Sequence, residues 1–201
     1  MPITTRISIP LSKMNEQFIE ELKKKYPGHV RLDIQVVETE KIPNFSEADF
    51  WKVIGMLDWS HEEEDDDAVL APAVDYLSAL EPAAIFLFQD ILAEKLFQLD
   101  KRAYAEQIGE DAYRPESAFS ADNFLYARAC VVANGKDFYE KVLADPTQMP
   151  KNLTFEPLLS LAGRAYQKKT GEEFDYFPTT MYETFSNPEG WEETLWDRIK
   201  E

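Results

Sequence analysis

Two short stretches near the start of the chain alternate apolar and polar side chains. Residues 3–9 and 30–36 both follow a period of two, which is typical of a strand with one buried face. Between them, apolar side chains spaced three and four apart predict a helix from Ser12 to about Lys25, ended by Pro27 and Gly28. Residues 1–41 are therefore predicted to form a strand-helix-strand unit. Because two strands alone are marginally stable, the unit should pack on the rest of the chain or pair with a second copy.

From residue 42 onward the spacing of apolar positions is helical. Polar caps, prolines and glycines divide this part into six predicted helices: one after Ser46, Asp65 to Leu80, Glu81 to about Ile108, one from Ser120 to Asn134, Lys136 to Ala144, and one from Thr154 to Gly171. We expect an α+β protein that is predominantly α-helical. It would consist of the strand-helix-strand unit in residues 1–41 and an antiparallel multi-helix domain in residues 42–201.

The charge of the chain lies almost entirely in its second part. The 201 residues include 21 basic and 38 acidic side chains, a net charge of −17, and residues 42–201 hold 14 of the basic and 32 of the acidic ones. Such a field repels phosphate backbones and anionic lipids, so we expect neither nucleic-acid binding nor membrane binding. The longest apolar stretch is too short to span a membrane, and the single cysteine suits a reducing compartment. These features predict a cytoplasmic protein.

The residue types that bind metals or catalyse reactions do not form a recognisable pattern in this sequence. The run from Glu62 to Asp67 follows His61, but it lacks the alternating ligands and the glycine of a calcium loop. We interpret it as a solvated loop at a helix N-terminus, with a loose cation site or a patch for a basic partner as the alternatives. Cys130, among apolar neighbours, is interpreted as a packing residue. We therefore expect no metal, no cofactor and, on balance, no enzymatic activity.

The helix after Ser120 carries the most informative polar residues. Asp122 lies in its first turn, where a carboxylate complements the helix dipole. Arg128 emerges from an apolar stripe, because its neighbours three and four positions away are all apolar. An arginine in that setting is either buried against a carboxylate of another helix or lines a cleft and binds an anionic ligand.

The segment beyond Gly171 is rich in aromatic side chains, including Trp191 and Trp196. One interpretation is a tail that wraps the helical body and fills its grooves. The other is a set of exposed rings that line a ligand or peptide groove. Residues 191–196 are predicted to form a last short helix that docks through its two tryptophans.

The second part of the chain resembles a bacterial family, the domain of unknown function 4240, over roughly residues 45–175. The segments that carry the resemblance are Glu47–Ile54, Arg102–Tyr104, Ser120–Gly135, Phe138–Tyr139 and Leu143–Pro146. Family members usually have an Asp, a Phe, an Arg and a Gly at the positions of Asp122, Phe124, Arg128 and Gly135. The chain departs from them at Cys130 and Ala127 and in a longer loop over residues 110–119. The resemblance implies a helical architecture and a candidate face, but no chemistry.

Two functional interpretations of different classes follow. The first is a non-catalytic protein-binding module whose acidic surface attracts a basic protein partner. The second is a small-ligand or enzymatic site in a helical cleft near Arg128. For either one, the candidate binding residues are Asp122, Phe124, Arg128, Trp191 and Trp196. A scaffold that forms a homodimer through the N-terminal unit is a third interpretation.

Overall fold

The computed structural model describes residues 9, 14, 16–26, 45–60, 65–115 and 117–191. In these ranges the α-helices are α1 (Glu16–Lys25), α2 (Glu47–Ile54), α3 (Asp66–Ala79), α4 (Pro82–Gln98), α5 (Arg102–Ala105), α6 (Ala121–Ala133), α7 (Lys136–Ala144), α8 (Leu161–Thr170) and α9 (Pro188–Trp191). Two short 3₁₀ helices, Pro146–Gln148 and Glu156–Ser160, separate α7 from α8. Within the described ranges, no helix is both long enough and apolar enough to cross a membrane.

The prediction of an α+β class is wrong. The described residues form helices and contain no strand or sheet, so this part of the chain is all-α. The two alternating stretches, except Ile9, lie outside the described residues, and Ile9 itself is not in a strand. The physical reason is that a period of two reports only which side chains would share a face, whereas a strand also needs a partner backbone. The helix predicted between the two stretches is present as α1.

Helices α2 and α3 begin where their polar caps predict. The Ser46 hydroxyl accepts a hydrogen bond from the Asp49 N–H, and the Asp49 carboxylate accepts one from the Ser46 N–H. The Asp65 carboxylate caps α3 through the Ala68 N–H at 3.0 Å. These caps satisfy N–H groups that have no partner inside a helix. Helix α3 packs against α8 and α4, and these helices surround one apolar core.

The long helix predicted from Glu81 to about Ile108 is interrupted, which corrects the sequence prediction. Helix α4 ends at Gln98 and α5 begins at Arg102. The gap consists of residues 99–101, and its middle residue, Asp100, is fully buried and accepts hydrogen bonds from the C-terminal part of the chain. Because the spacing of apolar side chains continues across the gap, the sequence pattern predicts one helix. A turn is favoured instead because the buried Asp100 carboxylate forms hydrogen bonds with a distant segment.

Helices α6 and α7 confirm the predicted boundaries. Ser120 caps α6 through the Asn123 N–H at 3.1 Å, and α7 runs from Lys136 to Ala144 after Gly135. Gly135 has a φ of +90°, which a residue with a side chain rarely adopts. The helix predicted from a Thr154 cap instead begins as the 3₁₀ turn, and α8 starts only at Leu161. Gly171, with a φ of +74°, ends α8 as predicted.

Residues 172–191, which we call the strap, follow α8 and have no helix before α9. The strap crosses α4 and α6, and its side chains Tyr176 and Asn187 are buried. Its outer side contacts α1, where the Lys25 ammonium lies 3.8 Å from the centre of the Phe177 ring. The strap therefore lies between the helical body and the C-terminal end of α1.

Candidate functional site

Arg128 is the largest of the fully buried side chains, with no exposed surface. Its guanidinium donates to the carbonyl of Leu96 at the end of α4, to the carbonyl of Tyr182 in the strap, and to the hydroxyl of Thr184, each at 2.9 Å. The Leu96 carbonyl is one of the last four of α4, which have no partner inside the helix. Arg128 therefore caps α4 and fixes the strap at the same time.

Burial also sets the charge state of Arg128. Loss of hydration lowers the pKa of Arg128 to about 10, while the charges of Asp100 and Glu183 act in the opposite direction. The group keeps its positive charge at neutral pH. Its Nε atom has no hydrogen-bond partner, whereas the ring of Phe124 lies 4.8 Å from its Cζ atom. Among the described residues, the partners of this guanidinium are thus backbone carbonyls, a hydroxyl and a ring, and no carboxylate is a direct partner.

Asp100 is the acidic counterpart of Arg128 beneath the strap. Its Oδ1 atom accepts from the N–H of Phe185 at 3.2 Å and from the indole of Trp191 at 2.9 Å, and its Oδ2 atom accepts from the N–H of Asn187 at 3.0 Å. Three N–H donors thus satisfy the oxygen atoms of this buried side chain. The break between α4 and α5 thus holds the end of the strap.

A second carboxylate, Asp90 of α4, holds the beginning of the strap. It accepts a hydrogen bond from the Tyr176 hydroxyl at 2.9 Å and another from the Thr179 N–H at 3.1 Å. The burial of Tyr176 and the negative charge of Asp90 both raise the pKa of the tyrosine. Asp90 binds the beginning of the strap, Arg128 binds its middle and Asp100 binds its end, largely through backbone atoms.

Aromatic rings gather where the strap ends. Trp191 contacts four other rings, and its centroid distances are 5.4 Å to Tyr113, 6.1 Å to Phe119, 5.9 Å to Phe124 and 4.4 Å to Phe185. Phe124 is fully buried, whereas the other four rings are at least partly exposed. We call Tyr113, Phe119, Phe185 and Trp191 the aromatic face.

Phe185 is the unusual member of the aromatic face. Its side chain is 52% exposed, and its φ of +74° lies in the left-handed region that a bulky residue rarely adopts. The hydrogen bond from its N–H to Asp100 and the tilted contact of its ring with Trp191 hold it there. A large apolar side chain is thus presented to solvent by a backbone conformation that costs free energy.

The structure brings together three of the five residues singled out from the sequence. Phe124 contacts both Arg128 and Trp191. Asp122 is exposed on the first turn of α6, while Arg128 is buried. Trp196 lies outside the described residues. The short helix predicted over residues 191–196 is described only up to Trp191, where α9 ends.

Sequence reasoning missed Asp100, Thr184 and Phe185. A signal for Asp100 exists, because it follows the apolar stripe of α4 and an arginine on an apolar stripe of α6 needs compensating polar groups. Thr184 donates to the carbonyl of Ala121 at 2.7 Å while it accepts from Arg128. Phe185 belongs to the aromatic-rich segment beyond Gly171, but no sequence signal distinguishes it from the other rings there, since its role depends on a backbone angle.

Four exposed carboxylates interact with side chains of α6. Asp122, Glu156 and Glu183 act together on Tyr126, and their charges contribute to raising the pKa of its hydroxyl, although burial is the largest cause. Asp111 accepts a hydrogen bond from Asn123 of α6 at 3.0 Å. These four carboxylates are exposed.

The residues that identify the family of the chain lie in its second part. A family model described as a protein of unknown function (DUF4240) matches residues 45–183. The chain belongs to the DUF4240 family. The match covers α2 to α8 and the strap up to Glu183, which confirms the resemblance found in the sequence. No curated protein and no solved structure matches the chain.

Two other kinds of reactive site in a DUF4240 protein such as this one would be a nucleophilic cysteine and a metal centre. Cys130 is buried, and burial raises the pKa of its thiol, which disfavours the nucleophilic thiolate. In the part of the chain that the structure describes, no three His, Cys, Asp or Glu side chains are grouped so that they could hold a metal ion. The polar groups beneath the strap bind backbone and side-chain atoms of the strap, so this arrangement fixes the position of the strap.

Proposed function

We propose that this DUF4240 protein is a non-catalytic binding module that recognises a basic partner protein through the aromatic face. The observation that carries the proposal is Phe185, which is half exposed, has a left-handed backbone and is fixed by Asp100 and Trp191. Backbone strain of this kind persists only where the surroundings impose it, and it is concentrated at functional positions. A ring held rigidly at the surface binds a partner with little loss of side-chain entropy.

The surroundings of Phe185 have the composition of a protein interface. Interfaces are enriched in aromatic anchors at their centres and are polar at their rims. Here Trp191 and Phe119 contact the ring and Tyr113 contacts both of them, while the exposed carboxylates Asp122 and Glu183 lie on α6 and in the strap. This arrangement favours a partner with a positive surface.

The charge of the described residues supports the same partner. Residues 45–60, 65–115 and 117–191 hold 12 basic and 24 acidic side chains. Several of the basic groups are already compensated: Lys95 pairs with Glu47, Arg164 with Asp67, and Lys168 with Asp75. A net negative field accelerates the association of a basic protein and repels acidic competitors.

A capture experiment tests the proposal. The tagged full chain, Phe185→Asn and Trp59→Asn are each incubated with native lysate at about 50 mM and about 500 mM salt, and retained proteins are identified by mass spectrometry. Asn tolerates the left-handed backbone, so it removes the ring alone. Trp59, 53% exposed, is the matched control because its ring packs on Phe155 outside the aromatic face.

We expect a stoichiometric basic protein on the wild type and on Trp59→Asn at low salt, and its loss at high salt and with Phe185→Asn. Retention of the same proteins by all three forms at both salt concentrations would contradict the proposal.

The alternative of a small-ligand or enzymatic site near Arg128 has less support. The guanidinium is fully buried, and three of its hydrogen bonds already go to protein atoms. Only its Nε atom is unpaired. A ligand would have to displace the strap to reach it, at the cost of the hydrogen bonds that Arg128 and Asp100 make.

A further inference from the structure

We call the aromatic face together with Phe124 the aromatic cluster. Two rings of this cluster already lie against guanidinium groups of the chain. The Cζ atom of Arg102 lies 5.7 Å from the centre of the Tyr113 ring, and that of Arg128 lies 4.8 Å from the centre of the Phe124 ring. Arg102 also pairs with the Glu106 carboxylate at 2.7 Å. Stacking on a ring leaves the N–H groups in the guanidinium plane free to bind a carboxylate or carbonyl. The protein thus uses the combination of ring, guanidinium and oxygen acceptor twice within this cluster.

Phe185 offers a third ring of the same cluster. It contacts Trp191 and Phe119 at centroid distances of 4.4 Å and 6.1 Å, yet half of its side chain faces solvent. Across the described ranges, no lysine or arginine of the chain itself lies over this ring. Glu183, two residues earlier in the strap, is exposed and supplies an acceptor in the same segment.

We infer that Phe185 receives an arginine side chain of the partner, whose guanidinium stacks on the ring while its N–H groups bind carboxylates of the strap and of α6. This inference rests on the proposed function and names the anchoring residue of the partner. The carboxylates we assign are Glu183, which is exposed in the strap two residues before Phe185, and Asp122, which is exposed on the first turn of α6. An arginine is a better fit than a lysine here, because a guanidinium is planar, is more weakly hydrated, and donates along its edge while it stacks.

The strap makes this binding site rigid before the partner arrives. The Tyr182 carbonyl and the Thr184 hydroxyl are bound by Arg128, so the residues on both sides of Glu183 are fixed. The N–H of Phe185 is bound by Asp100. A site whose backbone is fixed on both sides of the acceptor loses little conformational entropy when a ligand binds.

Two peptides of equal length and charge test the inference. A Gly-Arg repeat and a Gly-Lys repeat are titrated into the ¹⁵N-labelled full chain at about 50 mM salt, and amide chemical shifts are recorded. We expect the arginine peptide to bind about fivefold more tightly than the lysine peptide, with shifts concentrated in residues 183–191. Phe185→Asn should abolish this preference, whereas Trp59→Asn should retain it.

The outcomes separate the inference from the proposed function. Equal affinities for the two peptides, or a preference for arginine that persists in Phe185→Asn, would overturn the arginine assignment and leave the basic-partner proposal in place. Failure of both peptides to bind the wild type at low salt would contradict both proposals.

Discussion

At the scale of single residues, Arg128 accounts for most of what holds the strap to the body. It donates to one carbonyl of α4, one carbonyl of the strap and the Thr184 hydroxyl, and each of these acceptors would lose that hydrogen bond without it. Unpaired buried polar groups cost more than the net gain from a made hydrogen bond. The family resemblance pointed to this residue, and the structure gives a physical reason for an arginine here.

The first prediction follows from these bonds. Arg128→Ala should lower the free energy of unfolding by about 3 kcal/mol, because it leaves buried acceptors unpaired and opens a cavity. Urea unfolding followed by circular dichroism measures this change. Arg114→Ala, at an exposed arginine, is the matched control and should change stability by less than about 0.5 kcal/mol. Equal stabilities of the two variants would show that the buried bonds of Arg128 contribute nothing.

Residue-scale features also mark where sequence reasoning reaches its limit. Arg128 was found because an arginine on an apolar stripe is conspicuous, and Phe124 because a resemblance named it. Phe185 was missed as a candidate, since its significance lies in a φ of +74° and in the fraction of its side chain that faces solvent. Neither quantity is encoded by local composition, because both depend on the fixed positions of Asp100 and Trp191.

At the scale of elements, the break between α4 and α5 and the strap depend on each other. Asp100 lies in that break and accepts three hydrogen bonds from the strap. If the helix continued, this carboxylate would not be placed to reach the strap, and the strap would lose N–H partners. The strap in turn caps α4, since the Asn187 side chain donates to the Phe97 carbonyl at 3.3 Å.

The second prediction concerns the strap as an element. Asp100→Asn replaces one acceptor oxygen with an amide donor, so the N–H groups of Phe185 and Asn187 should lose protection. Their hydrogen exchange should accelerate about tenfold or more, from the roughly 1.5–3 kcal/mol that a bond to a charged group contributes. NMR-detected exchange measures this. Asp137→Asn, at an exposed carboxylate on α7, should leave these two amides unchanged, and equal acceleration in both variants would argue against the role of Asp100.

The helical elements were the best-predicted part of the fold. Caps at Ser46, Asp65 and Ser120, and stops at Gly135 and Gly171, are local signals, and the structure confirms each. The predicted continuous helix to about Ile108 was wrong because a long-range bond overrides local spacing. The predicted α+β class was wrong, because the alternation of apolar and polar side chains does not show that a partner backbone is present.

At the scale of the whole molecule, buried tyrosines link stability to alkaline pH. Burial raises the pKa of Tyr104, Tyr139, Tyr176 and Tyr182. Each hydroxyl therefore stays protonated in the folded state after its unfolded counterpart has ionised near pH ~10. Their stabilisation is fully present below that pH and is lost as pH rises toward the folded-state pKa values. Arg128, whose pKa is lowered to about 10, acts in the opposite direction but is a single group.

The third prediction is therefore a loss of stability between pH ~10 and ~12. The free energy of unfolding should fall by about 1.4 kcal/mol per pH unit for each tyrosine that is protonated only in the folded state, less the opposing contribution of Arg128. Urea unfolding at pH ~8 and at pH ~11 compares the two conditions, and absorbance of tyrosinate reports ionisation directly. An unchanged free energy over this interval would show that the buried hydroxyls ionise as freely as exposed ones.

The net charge of −17 also belongs to the whole molecule, and it connects the basic-partner proposal to a measurable quantity, the rate of association. Electrostatic attraction acts mainly on the rate of association, while the aromatic anchor acts on the rate of dissociation. Salt should therefore slow association, and Phe185→Asn should accelerate dissociation, so that the two contributions are separable in one kinetic experiment.

The most direct measurement is the association rate constant between this protein and the basic protein that the capture experiment is expected to retain, recorded by stopped-flow fluorescence over a range of salt concentrations. We expect the rate constant to fall by about tenfold or more between about 50 mM and about 500 mM salt. Equally fast association at both salt concentrations would contradict recognition through an acidic surface.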